Sequence, residues 1–543
     1  MASACAAGCL VVAGVASAAF APVDRTFQVV QTGGGSDSRV SDGPKVAFNQ
    51  QRREYFVVWR SNGSGGFDVY GQRLSPTGGK VGARVRISNS QDIGSDRGVN
   101  SPAVAYGPQA KRYLAVWPGD ELANDGEFEI FGQFISDTGV PLGSDFRISN
   151  ALDSPNGNLS DSLVADVAYN SAANEFLVTW DADQGSVNGQ REVWGQRLDP
   201  NGTPLGGDFQ ISNAGAVGST RIAVLGSVVY NPQANEYLVA FISEAVAESK
   251  GEAFGQRLNA NGGEIGADFR ISQTGLDSDP NRDATRVAVA YDSRDNEYLA
   301  VFTADHSFTG FGETPTNNEE EIFGQRLSAG GAEIGANDFR ISSVGNPDSS
   351  GLYDANLPRV AYAAPANEYL VTWTADEIEN AWPEIQGQRL TASGGEIGPD
   401  LRITRDEPQQ SASVDGDVVR STAAGEYLSV FLHSTRAKQD YDVYGRRVGQ
   451  LAKCGGRAAG RQGTRLADSI AGGSGKDVIA TLAGKDTAKG GGGPDRLCGG
   501  GGKDTLLGGP GNDHLDGGPG KGDRCIGGPG ADTFAASCEI KRG

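Results

Sequence analysis

The residues best suited to chemistry lie in the last eighty positions. GGSGKDVIA (472–480), GGGGPDRLC (490–498), GGGGKDTLL (499–507), GGPGNDHLD (508–516) and GGPGADTFA (527–535) repeat one nonapeptide, G-G-x-G-x-D-x-U-x, with U apolar. Eight units fit this register over 463–535, with one residue inserted in GGPGKGDRCI (517–526). The aspartates in phase are Asp468, Asp477, Asp486, Asp495, Asp504, Asp513, Asp523 and Asp532. Carboxylates alternating with paired glycines suit a hard cation that takes six to eight oxygen ligands in flexible geometry. Glycine tolerates positive φ and lets backbone carbonyls turn toward an ion. The expected metal site therefore comprises these aspartates with Gly490, Gly492, Gly499, Gly501, Gly508 and Gly511, and the expected cofactor is Ca2+. The apolar positions Ile470, Ile479, Leu497, Leu506, Leu515 and Phe534 form only a thin ladder. It is too small to offset the ordering entropy of so many glycines, so metal binding is expected to supply folding free energy.

The nonapeptide run resembles the RTX, or haemolysin-type calcium-binding, repeats. The resemblance implies a turn at each G-G-x-G-x-D, a short strand at each x-U-x, and a right-handed parallel β-roll with calcium between turns. Two units depart from the pattern. GTRLADSIA (463–471) and TLAGKDTAK (481–489) lack paired glycines, and Lys476, Lys485 and Lys503 bring positive charge next to their aspartates. The strongest sites are expected at Asp495, Asp504 and Asp513. Calcium binding carries over from the resemblance; haemolysis does not.

Of six cysteines, Cys454, Cys498, Cys525 and Cys538 lie in this tail. In an exported segment they read as two disulfides with three possible connectivities. The expected pairs are Cys525–Cys538, a local clasp, and Cys454–Cys498, a strap at the entrance. Zinc has no C-x-x-C spacing or nearby histidine pair in its favour.

Ahead of the tail, one unit of about 60 residues recurs seven times. Its first phrase runs VAFN (46–49) to VVRS (418–421), its second EYFVVW (54–59) to EYLSVF (426–431), its third YGQRL (70–74) to YGRRV (444–448). The fourth, VRIS (85–88) to LRIT (401–404), ends only six units; its seventh copy is Phe27-Gln28-Val29-Val30 at the start of the chain. Each phrase is β-branched or aromatic and bounded by turn residues, and so reads as a strand. The expected fold is all-β: a seven-bladed β-propeller whose N-terminal strand closes the last blade, followed by a C-terminal parallel β-roll. The expected domains are a signal peptide over 1–21, the propeller over 22–451 and the roll over 452–543.

A Glu opens the second strand (Glu54, Glu175, Glu236, Glu297, Glu368, Glu426), and the third carries an Arg (Arg73, Arg197, Arg257, Arg326, Arg389, Arg447). In the second unit both are lost together, to Arg112 and Phe134. A structural ion pair is expected. The Trp or Phe that ends the second strand, from Trp59 to Phe431, is expected to pack between blades.

The apolar run Leu10 to Val15 followed by Ala16-Ser17-Ala18 fits a secretory signal. No stretch approaches a membrane span. The net charge of −21 argues against nucleic acid as a partner. From Cys454 onward there are 12 Lys and Arg against 10 Asp and Glu, so the acidic excess belongs to the propeller. No catalytic constellation stands out, since His306, His433 and His514 are each isolated. The long acidic loops on one face, including 118–129, 303–321 and 342–358, are where a ligand is expected. The expected role is a secreted, monomeric calcium-binding protein, associated with the cell surface, whose propeller binds a glycan or cell-surface protein. The alternatives are an extracellular glycan hydrolase or lyase using the acidic face, and a structural envelope protein.

Overall fold

The structure is a computed structural model. It describes residues 20–23, 26–30, 43–63, 66–88, 99, 101–120, 128–149, 164–183, 191–214, 221–247, 250–273, 283–305, 320–344, 354–375, 383–404, 411–421, 426–435, 441–463 and 467–542. Residues 1–19 of the expected signal peptide and most of the long acidic loops, with His306, lie outside the described residues, while its last two positions, Phe20 and Ala21, belong to a short strand, Phe20–Pro22.

The chain is all-β, and its compact units divide at Val448 and Gly449. In Asp24–Val448, six sheets are four-stranded antiparallel meanders, such as Lys45–Asn49, Glu54–Gly63, Gly66–Leu74 and Lys80–Arg86. The seventh is built from Ser411–Ser421, Glu426–Thr435 and Asp442–Gln450, and Phe27–Val30 pairs with the last of these. Phe27 stands opposite Gly445 and Gln28 opposite Tyr444. The seven-bladed ring is thus closed by its N-terminal strand, which covers an edge that would otherwise expose unpaired backbone groups.

Each hydrophobic cluster in the ring draws on two neighbouring blades. Trp59 and Val57 of the first blade pack with Leu428, Val430 and Leu432 of the last. Trp180 packs with Leu114 and Val116 of the blade before it. The aromatic residue that closes the second strand is therefore inter-blade packing, as its recurrence predicts.

All six Glu–Arg pairs form, at 2.5 to 2.9 Å. Their register explains the contact. Glu236 is opposite Asn259, so Arg257 sits two residues along on the same face, within diagonal reach. The Arg also leaves its own blade: Arg73 Nη1 donates to the Thr138 carbonyl, and Arg197 Nη1 to that of Asn261.

A second repeated clamp was not anticipated. An acid two residues before the third-strand aromatic accepts from the Arg and Ser of the fourth strand. Asp68 takes Arg86 and Ser88, Glu129 takes Arg147 and Ser149, Glu252 takes Arg270 and Ser272, and Glu321 takes Arg340 and Ser342. The serine also receives a backbone N–H, as Ser272 Oγ does from Ala253 at 2.8 Å. The last blade uses the same position across the closure, where Gln28 Nε2 donates to Asp442 Oδ2 at 2.9 Å. The phrase F-R-I-S is thus a clamp as well as a strand.

The tail is a parallel β-solenoid. One sheet runs Arg461–Gln462, Val478–Ala480, Arg496–Cys498, His514–Asp516 and Thr533–Phe534. The other runs Ser469–Ala471, Thr487–Lys489, Thr505–Leu507, Arg524–Ile526 and Ile540–Arg542. Consecutive nonapeptides alternate between the two sheets, so one turn uses two of them and the eight units make about four turns. Between the sheets lie Ile479, Ala488, Leu497, Leu506, Leu515, Cys525 and Cys538, all buried. Cys525 and Ala488 hold apolar positions that the sequence reading left empty.

Candidate metal centre

Stacking nonapeptides two apart brings their aspartates into columns. Each aspartate N–H donates to Oδ1 of the aspartate one turn on: Asp468 to Asp486 (2.7 Å), Asp486 to Asp504 (2.9 Å) and Asp504 to Asp523 (2.8 Å) on one side. On the other side Asp477 donates to Asp495 (2.8 Å), Asp495 to Asp513 (2.8 Å) and Asp513 to Asp532 (3.0 Å). All eight aspartates named from sequence therefore belong to two ladders. The sequence reading missed the end of the first ladder, where the Asp523 N–H donates to Glu539 Oε2 at 2.7 Å. A residue in the last segment thus takes the place of a ninth aspartate.

Oδ1 is spent on the ladder. Oδ2 of Asp486, Asp495, Asp504, Asp513, Asp523 and Asp532 is buried and has no hydrogen-bond partner. An unsatisfied buried carboxylate oxygen is costly. Six in equivalent positions mark an unmet demand for positive charge. Asp477 differs: its Oδ2 accepts the Gly473 N–H at 2.6 Å and its Oδ1 lies 3.5 Å from Arg461 Nε.

In the repeats that open on glycine, that glycine lies against the aspartate Oδ2, whereas the repeat 481–489 opens on Thr481. A Cβ on Gly490 would stand 2.3 Å from Asp495 Oδ2 and 2.5 Å from the Gly508 carbonyl oxygen. On Gly508 it would stand 2.3 Å from Asp513 Oδ2 and 2.6 Å from the Gly527 oxygen. Gly499 is crowded in the same way by Asp504. A carboxylate oxygen and a carbonyl oxygen from the next turn thus meet in a space that only glycine leaves open. Gly492 and Gly501 are not crowded; in their repeats the backbone demand falls on Gly493 and Gly502, with φ of 94° and 138°. Gly511 combines both features, with φ of 152° and Asp513 Oδ1 3.3 Å from a built Cβ.

Burial raises the pKa of Asp486 to about 6, and the charges of Asp504 and Asp468 push the same way. Asp495, Asp504, Asp513 and Asp523 are also raised, burial first and neighbouring carboxylates next. Among the described residues no three His, Cys, Asp or Glu side chains gather into one cluster. A cation here would take one carboxylate from each turn and fill its shell with carbonyls. That donor set is all oxygen and suits calcium rather than zinc.

Both disulfides form with the expected pairing. Cys454–Cys498 and Cys525–Cys538 have Cα separations of 5.6 and 5.8 Å. His433 is buried with Nδ1 2.9 Å from Ser413 Oγ, and His514 Nδ1 is 2.9 Å from Thr533 Oγ1. Both are engaged structurally.

Residues 462–497, 489–523 and 499–534 match the RTX calcium-binding nonapeptide repeat. No curated protein matches the chain. Solved structures similar to it include the polysaccharide lyase Uly1, at 11% identity and TM-score 0.46, over 80% of this chain and 98% of that one. The β-propeller domain of the Trilobed protease from Pyrococcus furiosus aligns at 9% identity and TM-score 0.42, over 78% and 97%. The α-L-arabinofuranosidase Arb93A from Fusarium graminearum aligns at 10% and 0.40, over 65% and 93%.

Proposed function

We propose that this is a secreted calcium-binding protein whose tail is organised by the ion and whose propeller serves as a binding or adhesion module at the cell surface. The observation that carries the calcium reading is the set of six buried, partnerless Oδ2 atoms, of which those of Asp495, Asp504 and Asp513 each stand beside a glycine and a carbonyl of the next turn. Asp486, Asp495, Asp504, Asp513, Asp523 and Asp532 would hold the ions with the carbonyls of the glycine turns. Bound calcium supplies the positive charge that lets these carboxylates stay ionised while buried. The chain's own part is to pre-stack them: the N–H to Oδ1 ladder fixes one oxygen and leaves the other for the ion. Two disulfides in the tail support an oxidising compartment, and the reading keeps a signal peptide over 1–21, a propeller over 22–451 and a roll over 452–543.

The test uses the full chain, stripped of metal with chelator. Calcium titrated by calorimetry is expected to bind saturably, and amide exchange is expected to slow across 467–542. Absence of heat and of added protection at millimolar calcium would discard the reading. The binding role is tested separately on glycan arrays and intact cells, where retention without turnover is expected.

A further inference from the structure

The innermost strand of every blade places the residue just before its repeated valine on a common axial cavity of about 410 Å³. Four of these seven residues are charged: Lys45, Asp166, Arg359 and Asp417. Arg286 and Asp415 join them from neighbouring positions. Three cations and three carboxylates therefore share one chamber.

Their hydrogen-bonding capacity is spent unevenly. Asp166 accepts the N–H groups of Val167 and Val228, both at 2.9 Å. Asp417 accepts the Val46 N–H at 2.9 Å, across the closure of the ring. Asp415 accepts the Gly43 N–H at 2.7 Å and stands 3.6 Å from Arg359. The carboxylates are thus held as latches between blades. Among the described residues, the Lys45 ammonium and the Arg286 guanidinium have no hydrogen-bond or ion-pair partner. Burial first, and then the charge of Arg359, press the Lys45 pKa down and outweigh the opposing pull of Asp417, Asp415 and Asp166. With these carboxylates engaged by backbone N–H groups and by Arg359, Lys45 and Arg286 are left without an anion in contact. Lys45 and Arg359 oppose a metal ion in the same space.

We propose that the axial cavity binds a small hydroxylated carboxylate of the size of a sugar acid. Its carboxylate is held by Lys45 and Arg286, and its hydroxyls donate to the second lone pairs of Asp166 and Asp417. The volume is in the range of small-ligand sites, and Val224, Leu225, Val287 and Leu357 give its wall an apolar face for the ring carbons. This site lies wholly within the propeller and gives the binding-module reading a ligand class.

The probe is glucuronate, titrated by calorimetry into the full chain in calcium, with glucose as the neutral control. Saturable binding at one ligand per chain is expected, with glucose at least tenfold weaker. Lys45→Met and Arg286→Gln are each expected to raise Kd at least tenfold. Arg286 is exposed to the cavity and partnerless, so its replacement keeps the fold; unchanged circular dichroism checks this. The proposal is overturned by no binding of glucuronate, by equal binding of glucose, or by a Kd that neither variant moves. If glucuronate fails while retention on glycans or cells persists, the axial site alone is lost and the binding-module reading stands.

Discussion

In the second blade the guanidinium of Arg112 lies 5.5 Å from the ring centroid of Phe134, and its Nη1 donates 2.5 Å to the Pro200 carbonyl of the third blade. The other blades use a Glu–Arg pair at this place, with the Arg on the third strand. In blades one and three that Arg also reaches the next blade's turn. The second blade keeps the cation and its inter-blade bond but moves it one strand over, exchanging the carboxylate for an aromatic face. Arg112→Glu is expected to destabilise by about 2 kcal/mol, because the ring face then meets an anion and the carbonyl loses its donor. Adding Phe134→Arg rebuilds the ion pair and should recover at least half of this. Denaturant midpoints of the single and double variants check it.

The six Glu–Arg pairs are not equally buried. Glu426 and Arg447 are each 2% exposed, whereas Glu54 and Arg73 are each 16% exposed. Removing one partner of a buried pair strands the other charge, at about 3–5 kcal/mol. Glu426→Gln should therefore lower the unfolding midpoint more than Glu54→Gln, whose pair keeps partial contact with water and is partly screened.

The aspartates of the tail should also differ. Asp513 carries a partnerless Oδ2, while that of Asp477 already accepts from Gly473. Asp513→Asn is expected to remove at least one calcium equivalent by calorimetry. Asp477→Asn should leave the stoichiometry unchanged. Equal losses would show that the unsatisfied oxygen does not identify the ligands.

Acid should favour the metal-free tail. The Asp486 carboxyl titrates at about 6 when folded, against 3.8 for the ordinary group. The folded form therefore binds its proton more tightly than the unfolded chain. The resulting penalty is absent below about pH 3.8 and complete above about pH 6. The raised values of Asp495, Asp504, Asp513 and Asp523 act in the same direction. In chelator, amide protection over 467–542 should be greater at pH 5 than at pH 7.5. Calcium should add more protection at pH 7.5 than at pH 5. A metal-free tail better protected at pH 7.5 would contradict this.

Much of the architecture was legible because repetition exposes it. Phe27 to Val30 could be assigned to the last blade because six copies of its phrase stood in known places. Glu236 and Arg257 could be paired because they recur and are lost together. The acid–Arg–Ser clamp escaped notice because its acid alternates between Asp68-type and Glu252-type residues and lies just outside the phrase that repeats most visibly. Glu539 was missed because it follows no glycine motif.

The sequence by itself determined the local elements: strand phrases, glycine turns, aspartates in phase and cysteines in the tail. Each depends on side-chain type and short spacing, which the linear order displays. Only the tertiary structure decided what those residues meet. It made two nonapeptides one turn, so that Asp495 stacks on Asp513 and not on Asp504. It set Cys525 in the apolar ladder with Leu506, and it drew Lys45, Asp166, Arg286 and Asp417 from four blades into one chamber. Such meetings depend on the closure of the ring and the pitch of the coil, which sum over many residues and are written in none of them.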